Sequence, residues 1–247
     1  MKKIIAIIQT GQPIKSIYDQ YGDFNQWIIE SMQIDSEKIK TYRIYKHVAF
    51  PDPYQISGVI ITGSPAMVTE KRQWSEACKD WLRPIINMDI PILGICYGHQ
   101  LLAQLLGGEA GWNPNGREIG QVKLTLAAQA SEDKLLGHLP LTDSKHINFY
   151  ATHQQSVLKL PPDSTLLATT KLDPYHCFRY RNHIWGLQFH PEFSAGVIKS
   201  YIRERADDIK RDGLNPKQLV KKVTENNNGT LLLTRFKEIC FMPNKRG

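Results

Sequence analysis

Cysteine is sparse in this chain, and the few cysteines lie far apart. The 247 residues contain four cysteines and no C-x-x-C pair. This spacing argues against a disulfide framework and against a zinc site built on paired cysteines. We therefore expect a reduced, cytoplasmic protein with no metal site, and nothing in the sequence calls for a cofactor.

Long apolar runs and phosphate-binding motifs are also missing. No stretch approaches the ~20 apolar residues of a membrane-spanning helix, so no membrane partner is expected. The apolar run after Lys3 has five residues before Gln9, which is shorter than the about 7–15 residues of a signal-peptide core. It predicts a buried first strand instead. Because no P-loop is present, a nucleotide site is not expected.

Positive charge is concentrated near the C-terminus. The formal net charge is +7, and the range from Arg203 to Gly247 holds eleven Lys and Arg against six Asp and Glu. A basic segment of this kind meets nucleic acid, an acidic partner or only solvent. Since no nucleic-acid motif accompanies it, nucleic acid is not an expected partner. We predict a catalytic domain over residues 1–200 and a basic C-terminal extension over 201–247, packed on the same domain.

Hydrophobic patterning predicts an α/β fold. Short isoleucine-rich runs are typical of strands buried on both faces of a parallel sheet, and the amphipathic stretches between them favour helices. A series of shorter strands then favours an antiparallel extension. We thus predict a doubly wound, mostly parallel sheet with an antiparallel extension. The predicted parallel strands are Ile4–Ile8, Val59–Ile61 and Ile90–Ile95; the predicted helices are Phe24–Met32, Trp74–Ile86, Gly98–Leu106 and Ala195–Lys210; the later strands are Val122–Leu126, Ile147–Tyr150, Leu166–Thr170, His176–Tyr180 and Ile184–Phe189.

Cys96 stands where a predicted strand turns into a predicted helix. Gly94 and Gly98 flank it at equal spacing, which is the thiol form of the G-x-nucleophile-x-G turn. A helix N-terminus favours the thiolate, and the N–H of the next residue, Tyr97, faces the place where an oxyanion would form. The alternative for any single cysteine in an apolar run is a small core residue, which is our interpretation of the other three.

A second constellation supplies a base. The predicted strand Ile184–Phe189 is followed by His190, Pro191 and Glu192. In an extended segment, residues two apart lie on the same side. Glu192 is therefore placed to orient one imidazole nitrogen of His190 while the other faces the thiol, which is the nucleophile–base–orienter logic of a catalytic triad.

Three segments together resemble the class I glutamine amidotransferases, and more narrowly the stand-alone proteins related to the glutaminase domain of GMP synthase. The segments are Gly94 to Ala103, Gln188 to Glu192 and Ile60 to Pro65. The resemblance covers residues from about 4 to about 200 and implies a flavodoxin-like fold of this family.

The resemblance also implies roles for individual residues. Cys96 would attack a γ-carboxamide and form a γ-glutamyl thioester, His190 would be general base and then acid, and Glu192 would orient His190. The remaining implied roles are an oxyanion hole at Gly63 and Tyr97 and substrate contacts at Gln100, His153 and Gln154.

One loop departs from the pattern of these relatives. Many of them carry an acidic residue shortly after a histidine in the loop that holds the amino-acid end of the substrate. Here the stretch is His153, Gln154 and Gln155, without a carboxylate. The departure leaves the substrate open between glutamine and another γ-glutamyl compound.

Three functions fit the sequence. The first is hydrolysis of glutamine through a Cys thioester, with ammonia passed to a separate synthetase. The second is a stand-alone γ-glutamyl peptidase or hydrolase, and the third is a non-catalytic binding subunit that kept the fold. The expected partners are accordingly glutamine or a γ-glutamyl small molecule and, in the first case, an ammonia-accepting synthetase.

Overall fold

The computed structural model describes residues 3–143 and 145–242. Lys245 and Arg246, two of the basic residues of the C-terminal segment, lie outside the described residues. Within the described ranges, no helix combines the length and the apolar character that crossing a membrane requires.

Strands and helices alternate over the first half of the chain, and strands dominate from Glu109 to Leu187. The strands are β1 (Ile4–Gln9), β2 (Ile39–Arg43), β3 (Ile56–Ile61), β4 (Ile92–Ile95), β5 (Glu109–Trp112), β6 (Glu118–Leu126), β7 (His146–His153), β8 (Gln155–Lys159), β9 (Ser164–Thr169), β10 (Cys177–Tyr180) and β11 (Ile184–Leu187). The α-helices are α1 (Lys15–Tyr21), α2 (Phe24–Met32), α3 (Gln73–Ile85), α4 (Tyr97–Leu105), α5 (Ala195–Glu204), α6 (Ala206–Arg211), α7 (Pro216–Lys222) and α8 (Asn228–Phe241).

The main sheet has the order β2-β1-β3-β4-β11-β10-β9-β6-β7. Its first five strands are parallel, with β1 between β2 and β3 and β11 beside β4. The remaining four strands pair antiparallel. A separate two-stranded sheet joins β5 and β8. This arrangement confirms the predicted doubly wound, mostly parallel sheet with an antiparallel extension.

Helices cover both faces of the parallel part because side chains alternate along its strands. Ile5 and Ile7 of β1 pack in a cluster with residues of α2 and α8. Ala6 and Ile8 face the other way and pack with residues of α3 and α4. Strands that are apolar on both faces require this two-sided cover. The isoleucine runs have no polar face because helices cover both sides of these strands.

Several elements differ from the sequence prediction. The helix predicted over Ala195–Lys210 is interrupted at Arg205, whose φ of −100° and ψ of 18° end α5 and precede α6. Asp207 and Asp208 then occupy the first turn of α6, where carboxylates favour a new helix start. The segment Leu231–Ile239, whose sequence is compatible with a short helix or with a strand, lies within the helix α8.

Candidate active site

Cys96 lies in the turn between β4 and α4. Its φ of 49° and ψ of −94° fall outside the regions that residues with a Cβ normally occupy. The N–H of Cys96 donates to the carbonyl of Leu187 at 2.7 Å, and its carbonyl accepts from the N–H of Gln100 at 3.2 Å. Both bonds hold the strained turn in place. A non-glycine residue held in such a conformation is often found at a functional site.

The two glycines around Cys96 are required by close backbone approach. A Cβ on Gly94 would lie 2.5 Å from the carbonyl carbon of Gly98, and a Cβ on Gly98 would lie 2.5 Å from the carbonyl oxygen of Ile61. Such distances are shorter than any real carbon contact, so side chains are excluded at both positions. The glycines thereby let α4 begin directly against β3 and β4.

Gly63 lies beside both the thiol and the imidazole. A Cβ on Gly63 would stand 2.8 Å from Cε1 of His190 and 3.7 Å from Cβ of Cys96. Its carbonyl accepts hydrogen bonds from the hydroxyls of Thr10 and Thr62, each at 2.9 Å. These bonds fix the orientation of the backbone here. Three residues from the ends of three different strands, 63, 96 and 190, therefore meet at one edge of the sheet.

His190 is oriented by a buried carboxylate. Its Nδ1 lies 2.8 Å from Oε1 of Glu192, and both side chains are almost fully buried. The backbone N–H of His190 donates to the carbonyl of Tyr150 at 2.8 Å. Nε2 of His190 is buried and has no hydrogen bond of ordinary geometry to another described residue. This leaves Nε2 as the ring nitrogen available to the thiol.

Aromatic rings hold the imidazole in place. The ring of Phe193 stacks on His190 with centroids 4.0 Å apart and planes at 16°. Tyr201 also stacks on Phe193, with centroids 5.3 Å apart, and Trp27 meets Phe193 edge-on at 5.5 Å. A ring packed in this way has little freedom to rotate away from Cys96.

The charges around His190 favour its protonated form. Burial opposes the charge, but the Glu192 carboxylate and the Cys96 sulfur outweigh burial and raise the pKa of His190 to about 10. Burial is the main influence on the remaining thiols. It raises the pKa of Cys78 to about 12 and the pKa values of Cys177 and Cys240 well above their ordinary range.

A narrow cleft of about 60 Å³ opens beside Cys96. Of the residues predicted to contact substrate, Gln100, His153 and Gln154 all line it. The amide of Gln100 donates to the carbonyl of Gln155 at 2.7 Å and to the side chain of Gln188 at 3.0 Å. The other lining residues are Ser64, Pro65, Ala66, Met67, Tyr97, Arg117, Thr152, Gln155 and Arg205.

His153 belongs to a buried cluster behind the cleft. Its Nε2 lies 3.1 Å from Oε2 of Glu118, and Nε2 of His176 lies 3.0 Å from the same oxygen. Within the described ranges, these three residues form a set whose ligand atoms lie close enough to hold a metal ion, within 4.8 Å of one another. Both imidazoles are already hydrogen-bonded to the carboxylate.

A family model named "Glutamine amidotransferase class-I" matches residues 16–208. The chain belongs to this family. Two relatives show its breadth. A γ-glutamyl peptidase 5 from Arabidopsis thaliana is 27% identical over 185 residues, covering 74% of this chain and 72% of the relative. One subunit of the glutamine-hydrolysing GMP synthase from Methanothermobacter thermautotrophicus is 28% identical over 180 residues, covering 71% and 87%.

Solved structures of glutamine amidotransferases share the fold. One from Thermotoga maritima has a TM-score of 0.75 at 20% identity, covering 98% of this chain and all of that one. Another from Methylobacillus flagellatus has a TM-score of 0.73 at 19% identity, covering 97% and 96%. At these identities the likeness concerns the fold alone.

Four further residues at or behind this cleft carry no signal in the sequence. Arg117 and Arg205 reach the cleft, and Glu118 and His176 form its buried backing. They come from the start of β6, the α5–α6 junction and the residue before β10. No local spacing indicates them, because strands and helices distant in the chain bring them together.

Proposed function

We propose that this protein hydrolyses a γ-glutamyl amide through a covalent thioester on Cys96. The observation that carries the proposal is the meeting of Gly63, Cys96 and His190 at one edge of the sheet, with Glu192 bound to the imidazole. A nucleophile, an acid–base group and its orienter are the minimum set for this chemistry.

The proposed reaction has two halves. The Cys96 sulfur attacks the amide carbon as thiolate, and the carbonyl oxygen becomes negative between the N–H groups of Gly63 and Tyr97. His190 then gives its proton to the nitrogen of the leaving amine, and the C–N bond breaks to leave the thioester. Water attacks the thioester, His190 takes a proton from that water, and glutamate and the thiolate are released.

The raised pKa of His190 suits the first half. At neutral pH the imidazole already carries the proton that the leaving amine needs, since its pKa is about 10. Acid–base catalysis of this kind contributes roughly 10²–10⁴ in rate. Each oxyanion donor adds about 3–4 kcal/mol of transition-state stabilisation. Tyr97 is the first residue of α4, so its N–H has no carbonyl partner within the helix and is free to donate to the oxyanion.

Two forms of this activity are supported by the relatives. Similarity to the GMP synthase of Methanothermobacter supports hydrolysis of glutamine with ammonia passed to a separate synthetase. Similarity to a γ-glutamyl peptidase supports cleavage of γ-glutamyl compounds without such a partner. Both forms release glutamate by the same steps. The four free thiols agree with a reducing, cytoplasmic setting.

Replacement of Cys96 tests the proposal. We expect Cys96→Ala and Cys96→Ser to abolish release of glutamate from glutamine and from γ-glutamyl dipeptides, measured with a coupled glutamate assay. A chloroketone analogue of glutamine should alkylate Cys96, which lines the cleft, and leave Cys78, Cys177 and Cys240 unlabelled in peptide mass spectra. Glutamate release by Cys96→Ala at the wild-type rate, or labelling of Cys78 in place of Cys96, would refute the mechanism.

A further inference from the structure

Three basic side chains line the cleft beside Cys96, and the acids that pair with them lie outside its lining. Arg117, His153 and Arg205 reach it, and no Asp or Glu lines it among residues 3–143 and 145–242. A ligand of net negative charge would balance such a cleft, whereas a neutral zwitterion would not. The hydrogen bonds that each basic side chain already makes within the protein decide how strong this preference is.

His153 has both ring nitrogens facing acceptors. Nδ1 lies 3.0 Å from the carbonyl oxygen of Gln155, which can only accept, so Nδ1 carries a hydrogen. Nε2 lies 3.1 Å from Oε2 of Glu118. Both ring nitrogens of His153 are therefore engaged within the protein.

The groups packed around this pair support an ionised Glu118. Burial opposes ionisation, but hydrogen bonds from His153 and His176 hold the pKa of Glu118 well below its ordinary value. Among the other titratable groups nearby, burial raises the pKa of Asp173 and lowers that of His99 well below its usual range. The two imidazoles that bond Glu118 thus favour its anionic form.

Arg205 is the less compensated of the two arginines. Its Nε is buried without a hydrogen-bond partner among the described residues. Its Nη1 is 3.8 Å from Asp208, and that carboxylate also bonds Arg211. Arg117, by contrast, bonds Asp212 at 2.6 Å. A guanidinium with an unused donor at the cleft is well suited to a carboxylate, which it binds with fork geometry.

The cleft also offers a neutral acceptor for an ammonium group. Oε1 of Gln155 is buried and unpartnered within the described ranges, while Nε2 of the same side chain donates to Thr69 at 2.7 Å. That bond fixes the orientation of the amide and leaves Oε1 free to accept a hydrogen bond. Oε1 can accept from the α-ammonium of a γ-glutamyl group, but as a neutral oxygen it does not offset the positive charge around it.

We propose that this cleft selects γ-glutamyl substrates with a second carboxylate on the amine side of the scissile bond, and that Arg205 binds that carboxylate. Glutamine has one carboxylate and one ammonium, so its net charge is zero. A γ-glutamyl amino acid has two carboxylates and one ammonium, and its net charge of −1 complements the cleft. The inference rests on the proposed function, since it assigns the substrate class of the same site.

Binding to the inactive variant Cys96→Ala tests the inference separately from turnover. The two probes are γ-glutamylglycine and γ-glutamylglycinamide, which differ in one carboxylate, and calorimetry gives both dissociation constants. We expect the carboxylate form to bind at least about tenfold more tightly, as for a charged hydrogen bond. Equal binding of the two probes, or no binding of either, would overturn the inference.

Arg205 is tested in the same Cys96→Ala background. Arg205→Gln should reduce the difference between the probes to about twofold or less and leave γ-glutamylglycinamide binding unchanged, whereas Arg205→Lys should restore much of it. Arg203→Gln, which removes an exposed charge outside the cleft, is the matched control and should keep the full preference. A preference that survives Arg205→Gln would overturn the role of Arg205.

Turnover by the wild-type enzyme separates the two proposals. Release of glutamate from γ-glutamylglycine with a higher kcat/KM than from γ-glutamylglycinamide and from glutamine supports both. Release from all three at equal kcat/KM overturns the selectivity and keeps the proposed hydrolysis. If no glutamate is released from any of them, the proposed hydrolysis fails. The ratio of the two dissociation constants then decides whether the cleft recognises a second carboxylate.

Discussion

At the scale of single residues, Cys96 combines a reactive group with a strained backbone. Its φ of 49° and ψ of −94° are costly for any residue with a Cβ. The strain is maintained by the hydrogen bonds that join this turn to Leu187 and Gln100. It places the sulfur at the start of α4, beside the cleft and near backbone N–H groups.

Because of this strain, glycine should be favoured over alanine as a replacement at position 96. We expect Cys96→Gly to be more stable than Cys96→Ala by roughly 1–2 kcal/mol, because glycine accepts a positive φ without strain. Urea unfolding of the two variants measures the difference. Cys177 in β10 is the matched control, since glycine in a strand should be less stable there than alanine. If the glycine variant were the more stable, or the less stable, of the two at both positions, the proposed backbone strain at Cys96 would be contradicted.

The pair of His190 and Glu192 predicts a pH-dependent stability. The pKa of His190 rises from an ordinary 6.5 to about 10 on folding. Its contribution is therefore complete below pH 6.5, declines as the pH rises, and is lost above about 10. Wild-type protein should lose up to ~1.4 kcal/mol of unfolding free energy per pH unit from this group between pH 7 and 10.

Glu192→Gln should flatten that decline, because the neutral amide no longer favours the imidazolium. The same variant should lower kcat by roughly 10²–10⁴, since the ring loses its orienting carboxylate. Denaturant titrations at several pH values and a glutamate assay measure the two effects. Glu204→Gln, on the surface of α5, is the control and should follow the wild type. A wild-type slope in Glu192→Gln would show that Glu192 does not hold the proton on His190.

At the scale of elements, the turn between β4 and α4 depends on how closely α4 approaches β3. A Cβ on Gly98 would meet the carbonyl oxygen of Ile61 at 2.5 Å, and that oxygen belongs to backbone that cannot move alone. Any larger residue here must push α4 away from the sheet. Tyr97 and Gly63, the two proposed oxyanion donors, would then separate.

Gly98→Ala should accordingly reduce both stability and activity. We expect a loss of about 1–3 kcal/mol from overpacking and a lower kcat with glutamine or a γ-glutamyl dipeptide. Gly111→Ala in β5 is the control, because its Cβ would meet only the flexible side chain of Leu158 at 3.0 Å; its effect should stay within about 0.5 kcal/mol. Unchanged activity in Gly98→Ala would argue against the tight fit of α4.

At the scale of the whole molecule, α8 lies against the parallel sheet. Leu232, Leu233 and Phe236 are fully buried in the cluster that contains the inner residues of β1 and β11. The ring of Phe236 meets Trp185 of β11 edge-on at 6.3 Å. We propose that this part of the C-terminal segment is structural and belongs to the catalytic domain.

Truncation of Phe236 tests that proposal. Phe236→Ala should cost about 3–5 kcal/mol, as is usual for a buried aromatic side chain. Phe241→Ala, at the exposed end of the same helix, should change stability by less than about 0.5 kcal/mol. Chemical unfolding of both variants measures the difference. Equal small effects would mean that α8 contributes little to the domain.

The local pattern predicts much of the fold because the parallel strands are buried on both faces. Helix α2 begins and ends at the predicted residues, Phe24 and Met32. Asp23 and Gln26 form a capping box that fixes its start. Strands β2, β5 and β8 are not predicted by that pattern, because they carry polar residues and exposed positions. Pairing with neighbouring strands, rather than their own composition, makes them strands.

By itself the sequence determined the turn at Cys96 and the pair of His190 and Glu192, because each depends on residues at most a few positions apart. Tertiary structure alone decided that these two segments meet beside Gly63. It also decided that Arg117 and Arg205 line the cleft while Glu118 and His176 lie behind it. The physical reason is that strand pairing joins residues far apart in the chain. Burial then strengthens the electrostatic interactions between them, and the spacing of residues along the chain gives no indication of that effect.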